Sequence, residues 1–254
     1  MATCIVLLLN LKCLNQRLMF VITLFYLKQV LPGLYLGNIR DAKDKEQLTK
    51  YGITHVVSIH DNAQALNENL IYKCFHAADS PDQEISVYFK ESIDFIHNCR
   101  LNGGACLVHC MAGVSRSTTL VAAYIMAVTQ LDWREALKAI KCARPIANPN
   151  YGFKRQLQDF YNLHAPQERE RLKREFPNPK YNDEELLRDV MAKSENNDDS
   201  EDRTDDVMDA LCRHTHRTKI QSIDKENEET MDSVGEEKID SIGEEPPPNT
   251  AVEN

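Results

Sequence analysis

The chain has 254 residues, 42% of them hydrophobic and 27% charged, with a formal net charge of -9, enough for one globular domain of ordinary size plus an appendage. The acidity is local: residues 194–254 hold 19 Asp and Glu against 6 Lys and Arg, which leaves the preceding 193 residues at +4. Every Phe, Trp and Tyr lies at or before Tyr181, so 194–254 lacks the apolar area that would offset its ordering entropy and is expected to be a disordered acidic tail. The eight cysteines are scattered, with no CxxC pair and no His/Cys cluster, which argues against a zinc site or disulfide scaffold and suits a reduced, cytosolic protein. No Lys/Arg cluster is interleaved with aromatics, so nucleic acid is not an expected partner.

Residues 1–28 form an apolar extension. Its runs 4–9 and 18–27 are broken by Asn10, Lys12, Asn15, Gln16 and Arg17, short of the ~18 uninterrupted residues of a membrane span. The first run lacks a basic flank and the second a small-residue cleavage site, so neither reads as a signal peptide. An amphipathic extension or a mistaken first exon fits better.

From Leu31 the pattern is that of an α/β domain. LYLG (34–37), THVVSIH (54–60), IYKCFH (71–76) and ACLVH (105–109) predict strands, the last apolar enough for the centre of a sheet. Asp41 is expected to cap a helix running towards Tyr51, with Gly52 as its stop. Ile85, Phe89, Ile93, Ile96 and Cys99 recur at helical spacing and predict one buried face. TTLVAAYIMAV (118–128) is apolar on nearly all sides, as expected of a helix packed inside the domain. Asp132 then caps WREALKAIKCA, Pro145 and Pro149 frame a loop, and a helix follows over about 150–163. A charged helical pair, about 166–175 and 183–193, closes the ordered part. Strands and helices first, helices alone afterwards, predict a sheet with most helices on one face. In the tail, DSVGEE (232–237) recurs as DSIGEE (240–245), open to reading as a regulatory site or as low-complexity drift.

The segment that carries chemistry is Val108-His109-Cys110-Met111-Ala112-Gly113-Val114-Ser115-Arg116-Ser117, between the central strand and the apolar helix. A short loop in that position turns successive backbone N–H groups inward, making a nest for a tetrahedral dianion at the positive end of a helix. Met111, Ala112, Gly113, Val114, Ser115 and Arg116 are the expected phosphate-binding residues, with Gly113 permitting the tight bend. Cys110 sits at the mouth of the same field, which favours its thiolate. The planar fork of Arg116 suits two phosphoryl oxygens at once, and Ser117 is placed to donate to the sulfur when it leaves. Nucleophilic attack on phosphorus, a thiophosphoryl intermediate and hydrolysis are the chemistry implied, with no metal and no cofactor.

This segment, together with LPGLYLGN, AADSPDQEI, RLNGGACLVHCMAGVSRSTTLVAAYIM and ARPIANPNYGFKRQLQDF, resembles the cysteine-dependent protein tyrosine phosphatase superfamily in its short, atypical dual-specificity branch. The resemblance covers Leu31 to about Leu163. It implies a protein tyrosine phosphatase-like fold with a central mixed sheet flanked by helices. The organisation expected is then the extension 1–28, a catalytic domain 29–165, a helical extension 166–193 and the tail 194–254. It also implies a general acid in Asp79, 31 positions before Cys110; local sequence alone reads Asp79 as a turn residue or cap, with Asp82 nearly as good a candidate. Support roles fall to His109, behind the nucleophile, and to Asn150, bracing the phosphate loop. Cys106 and Cys142 read as buried small hydrophobes.

The resemblance further implies phosphoprotein substrates carrying phosphotyrosine and phosphoserine or phosphothreonine, with MAP kinase pathways as the family's usual suggestion. The loop has no lysine, which disfavours an inositol-lipid substrate. A catalytically weak phosphoprotein-binding adaptor is the competing reading. Relatives of this kind begin Met-Gly and are myristoylated, whereas Ala2 follows Met1 here. The expected location is cytoplasmic, with the cytoplasmic face of the plasma membrane and the nucleus left open.

Overall fold

The computed structural model describes residues 27–177 and 180–195. Five strands form one sheet in the order β1-β2-β5-β3-β4: β1 (Lys28–Leu31), β2 (Leu34–Gly37), β3 (Ile53–Ile59), β4 (Ile71–Phe75) and β5 (Ala105–His109). β1 runs antiparallel to β2, and every other neighbouring pair is parallel, so the sheet is mixed as expected. The apolar β5 takes the centre, where both of its edges are paired, with β2 and β3, and side chains pack on both of its faces.

The connections place the helices. Between β2 and β3 lie α1 (Ile39–Lys43) and α2 (Lys45–Lys50), whose Ala42 and Leu48 pack with Tyr35, Ile53, Val56 and Leu107 on one face. After β4 a 3-10 turn (Ser86–Tyr88) leads into α3 (Phe89–Leu101). Then come α4 (Arg116–Val128), α5 (Trp133–Ala143), α6 (Tyr151–Leu163), α7 (Ala165–Glu175) and α8 (Asp183–Glu195), which with α3 fill the opposite face. The helix α4 is apolar all round because it is surrounded: α3, α5, α6 and α7 all pack on it, and Arg116 through Ala127 are buried without exception. Ile85, Phe89, Ile93, Ile96 and Cys99 form the buried face predicted for them. Asp132 caps α5 in a full capping box with Glu135.

Two expectations are corrected. The boundary at residue 28 falls too late: Leu27 is buried and Lys28 pairs with Leu36 in β1, a strand too short to betray itself by alternation. The expected single helix from Asp41 to Tyr51 is two. Asn38 rather than Asp41 is the cap of α1, Asp41 is its reciprocal capping-box partner, and Asp44 ends α1 and caps α2. The helical pair expected over about 166–175 and 183–193 is α7 and α8, and their Leu172, Leu187 and Met191 belong to the same buried cluster as α4.

At the far end α8 continues to Glu195, two residues into the segment assigned to the tail. The rest of that tail with its repeat, and the extension before Leu27, lie outside the described residues. Among the described residues no helix is long and apolar enough to cross a membrane.

Candidate active site

Residues 110–115 connect the C-terminal end of the central strand to the first turn of α4, the place where parallel α/β sheets bind anions. The shape of this loop follows from where its carbonyls go. His109 Nδ1 donates to the carbonyl of Cys110 at 3.3 Å and the N–H of Ile39 to that of Met111 at 3.3 Å. Arg144 donates from Nη2 to Ala112 at 3.1 Å and from Nε to Gly113 at 2.7 Å. The N–H of Asn148 reaches Val114, and that of Thr119 reaches Ser115, each at 2.9 Å. Six successive carbonyls are thus held by groups outside the loop. In a trans peptide the N–H points opposite to the C=O, so the intervening N–H groups turn to the inner side, around the sulfur of Cys110. Gly113 has φ +69, and a Cβ there would stand 2.5 Å from the Gly37 carbonyl oxygen and 2.7 Å from Arg144 Nη2, so no other residue fits the bend.

Cys110 is 1% exposed. Its sulfur accepts from the Gly113 N–H and from Ser117 Oγ, each at 3.2 Å, the partnership expected of Ser117. Arg116, on the first turn of α4, is also buried. Its Nη1 donates to Ala77 O at 2.8 Å and to Asp61 Oδ2 at 2.9 Å. Its buried Nε makes no hydrogen bond among the described residues and lies 3.8 Å from Asp79 Oδ2. The Arg116 guanidinium holds the Asp61 carboxyl below the usual carboxylate range. Burial holds the Arg144 guanidinium below the ordinary arginine value, against the opposing pull of the nearby Asp41 carboxyl.

Asp79 is brought to the loop from the segment between β4 and α3. Its Oδ1 accepts from Ser115 Oγ at 2.7 Å and from Asn150 Nδ2 at 2.9 Å. The segment rests directly on the first turn of α6, where a Cβ on Gly152 would come within 2.0 Å of the Pro81 carbonyl oxygen. Asp82 makes none of these contacts; its N–H turns back to Ser80 Oγ. Between the two aspartates that sequence alone left open, the structure brings Asp79 to Arg116 and Ser115.

Asn150 departs from the part expected of it. Its Oδ1 caps α6 by accepting from the Phe153 N–H and its Nδ2 goes to Asp79, so the side chain braces the aspartate rather than the loop. Only its backbone N–H touches the loop, at Ser115 Oγ. His109 is fully buried behind Cys110, and burial pushes its pKa down to about 4, which keeps the ring neutral. Cys106 is buried as expected and Cys142 partly so, and both are free thiols. Sequence reading missed Arg144 and Asp61. The first sits in the ARPIANPN segment, but its target carbonyls are 31 and 32 residues away; the second is one of several loop acids, and nothing local marks it.

Residues 34–163 match the model of the dual specificity phosphatase catalytic domain. The chain is 53% identical to dual specificity protein phosphatase 22-B of Danio rerio over 175 residues, 69% of this chain and 96% of that one. It is 53% identical to dual specificity protein phosphatase 15 of Rattus norvegicus over 160 residues, 63% and 68% of the two chains. Among solved structures, a crystal structure of DUSP15 superposes with a TM-score of 0.58 at 53% identity, covering 60% of this chain and 97% of that one. A cysteine-centred anion loop on this fold, matched over half the chain to one catalytic domain, places the chain in the dual specificity phosphatases and makes it a dual-specificity protein phosphatase.

Proposed function

We propose that Cys110 is the nucleophile of a two-step phosphoryl transfer. Its thiolate attacks phosphorus, the S–P bond forms as the bond to the ester oxygen breaks, and Asp79 gives a proton to that departing oxygen. Water then attacks the phosphocysteine, Asp79 takes its proton, and the S–P bond breaks. The sulfur leaves as a thiolate that Ser117 Oγ and the Gly113 N–H already contact. The inner N–H groups of the loop and the Nε of Arg116 meet the equatorial oxygens throughout. The observation that carries this reading is the outward anchoring of all six carbonyls from Cys110 to Ser115 around one buried sulfur.

For substrates we put forward phosphoproteins of signalling pathways, MAP kinase pathways first, on the strength of the family alone. A cytoplasmic location is supported by the five free thiols among the described residues.

The test is turnover of an aryl phosphate by the full chain in the presence of a chelator, beside Cys110→Ser and Asp79→Ala, then on phosphotyrosyl and phosphothreonyl peptides. Activity that survives the chelator and is lost in Cys110→Ser is the expected result. Cys110→Ser should still bind phosphate, because the backbone nest survives, whereas Arg116→Ala should lose both binding and turnover. Turnover that persists in Cys110→Ser overturns the assignment. A folded wild type that binds phosphopeptide without hydrolysing it leaves an adaptor instead.

A further inference from the structure

Asp79 is carried on residues 76–85, an irregular segment between β4 and the 3-10 turn. Such a segment has no ladder of its own, so its backbone groups are held by whatever side chains reach them. At its start Tyr88 Oη donates to the carbonyl of His76 and Arg116 Nη1 to that of Ala77, each at 2.8 Å. Its far end is held from α6 by a side chain to which the phosphoryl transfer assigns no part. The half-buried Gln156 accepts on Oε1 from the N–H of Ile85 at 2.8 Å and from that of Ser86 at 3.0 Å, and it donates from Nε2 to the carbonyl of Gln83 at 2.8 Å. A primary amide suits this place, because its oxygen offers two lone pairs to two successive N–H groups while its nitrogen still has a donor for a carbonyl.

Gln83 passes this hold on towards Asp79. Its Oε1 accepts from the N–H of Ala78, the residue before the aspartate, and its own N–H donates to the carbonyl of Ser80, the residue after it, each at 3.1 Å. Residues 78–83 are thereby closed into a loop that contains Asp79, and Gln156 fastens the closing residue to α6. Gly152, one turn before Gln156 on the same helix, lies against Pro81 within that loop. Neither glutamine makes a hydrogen bond to Cys110, Arg116 or Asp79 among the described residues. Whatever they contribute to the reaction is contributed through the backbone that carries the aspartate.

We propose that Gln156 and Gln83 are positioning residues for proton transfer by Asp79: the bonds that run from Gln156 through Gln83 to Ala78 fix the backbone from which the carboxyl reaches the departing oxygen. A proton donor must stand within hydrogen-bond reach of that oxygen, and a small displacement of a reacting group is costly. The inference rests on the reading of Asp79 as the acid.

The experiment measures kcat/KM of the full chain on aryl phosphates running from phenyl phosphate to dinitrophenyl phosphate. The proteins are wild type, Gln156→Leu, Gln83→Leu, Asp79→Ala and the double variant Asp79→Ala, Gln156→Leu. Vanadate inhibition reports on the phosphate loop separately, and thermal unfolding shows whether each variant is folded. Gln156→Leu should lose about tenfold on phenyl phosphate and less than about twofold on dinitrophenyl phosphate, a part of the roughly 10²–10⁴-fold that a general acid supplies. Its vanadate inhibition should stay within about twofold of wild type, since the loop keeps its own anchors. Gln83→Leu should show the same pattern by a smaller factor, and it carries the test if Gln156→Leu does not fold. In the Asp79→Ala background Gln156→Leu should cost nothing further, because a residue that acts through the acid has nothing left to act on. Equal losses across the series, a wild-type leaving-group dependence in both glutamine variants, or a full further loss in the double variant overturns the proposal while leaving Asp79 in its role. If Asp79→Ala itself slows all the esters alike, the reading of Asp79 as the acid fails, and the proposal with it.

Discussion

Arg144 donates from Nε to the carbonyl of Gly113 at 2.7 Å, tying the end of α5 to the middle of the catalytic loop. The side chain is fully buried, and its second donor, Nη2, takes the neighbouring carbonyl of Ala112. Without it, two carbonyls at the bend would lose their donors in a place water cannot easily reach, and each such loss costs ~1–3 kcal/mol. Arg144→Met should therefore lower stability by about 2–4 kcal/mol and weaken binding of an oxyanion such as vanadate by at least tenfold. Arg144→Lys should recover little, because one ammonium cannot reproduce the fork. Urea unfolding and vanadate inhibition measure the two effects. Wild-type values for both in Arg144→Met would remove Arg144 from the support of the loop.

Asp79 receives two hydrogen bonds, from Ser115 Oγ and Asn150 Nδ2, both on the same carboxyl oxygen. They orient a side chain that is otherwise partly exposed on a surface segment. Asn150→Ala removes the longer of the two contacts and the cap of α6 together, and loss of such a cap costs ~1 kcal/mol. Ser115→Ala is the cleaner change. We expect it to slow turnover roughly tenfold for esters with poor leaving groups and far less for good ones, since proton donation matters most when the departing oxygen is basic. Rates across a series of substituted aryl phosphates give the answer. A uniform loss over the series would mean that Ser115 serves the loop and not the acid.

Gly152 makes a related case. A methyl group on it would collide with the Pro81 carbonyl, and because that contact is to backbone, the segment bearing Asp79 would have to lift. Gly152→Ala should steepen the leaving-group dependence as Ser115→Ala does, while binding of vanadate changes by less than about twofold, because the loop itself is untouched. Equal loss of vanadate affinity would place the damage in the loop instead.

What could be read from the chain divides along a physical line. The contacts of the segment from Val108 to Ser117 were legible because they join near neighbours in sequence: a buried thiol, the loop that follows it, an arginine on the first turn of α4 and the serine hydroxyl that donates to the sulfur. Helix faces such as Ile85 to Cys99 were legible because burial repeats at a local period. What stayed hidden depends on pairing at a distance. Arg144 meets its carbonyls across 31 residues and Asp183 its partner Arg100 across 83. The strand β1 pairs through its backbone, and a four-residue strand leaves little alternation to read. Asn150 was seen as important through family resemblance, yet the atom it serves could only be known once Asp79 lay beside it.

Burial drives His109 down to about pH 4, against an unfolded value of about 6.5. Between these values the unfolded chain binds more protons than the folded one, so the neutral buried ring makes stability rise with pH. That contribution is complete above about pH 7 and falls away as pH drops through 6.5 towards 4, by on the order of 3 kcal/mol. His60 and His97, also lowered by burial, add to the slope in the same sense. His109→Gln should flatten the dependence of unfolding free energy on pH between 7.5 and 5. Denaturant titrations at the two pH values, wild type against variant, test it. An unchanged slope in the variant would show that the loss belongs to the other histidines.

Arg100 at the close of α3 holds Asp183 at the start of α8 with two hydrogen bonds, 2.7 and 2.8 Å, and the same guanidinium reaches Tyr124 and the Pro32 carbonyl. Burial works against the Arg100 charge, and Asp183 and Tyr124 more than compensate, holding its pKa above the ordinary arginine value. Removing one partner from such a pair leaves an uncompensated buried charge and typically costs ~3–5 kcal/mol. Asp183→Ala should lose that much and release Leu187 and Met191 from the core, whereas kcat/KM on an aryl phosphate should fall by less than about threefold at temperatures where the variant stays folded, since no group of the pair touches the loop. The double variant Arg100→Met, Asp183→Leu should be more stable than Asp183→Ala, because it removes both charges at once. Chemical denaturation of the three proteins decides between the two views. If the double variant is the least stable, the pair is held by geometry that apolar packing cannot replace, and α8 docks through the ion pair rather than through its buried leucine and methionine.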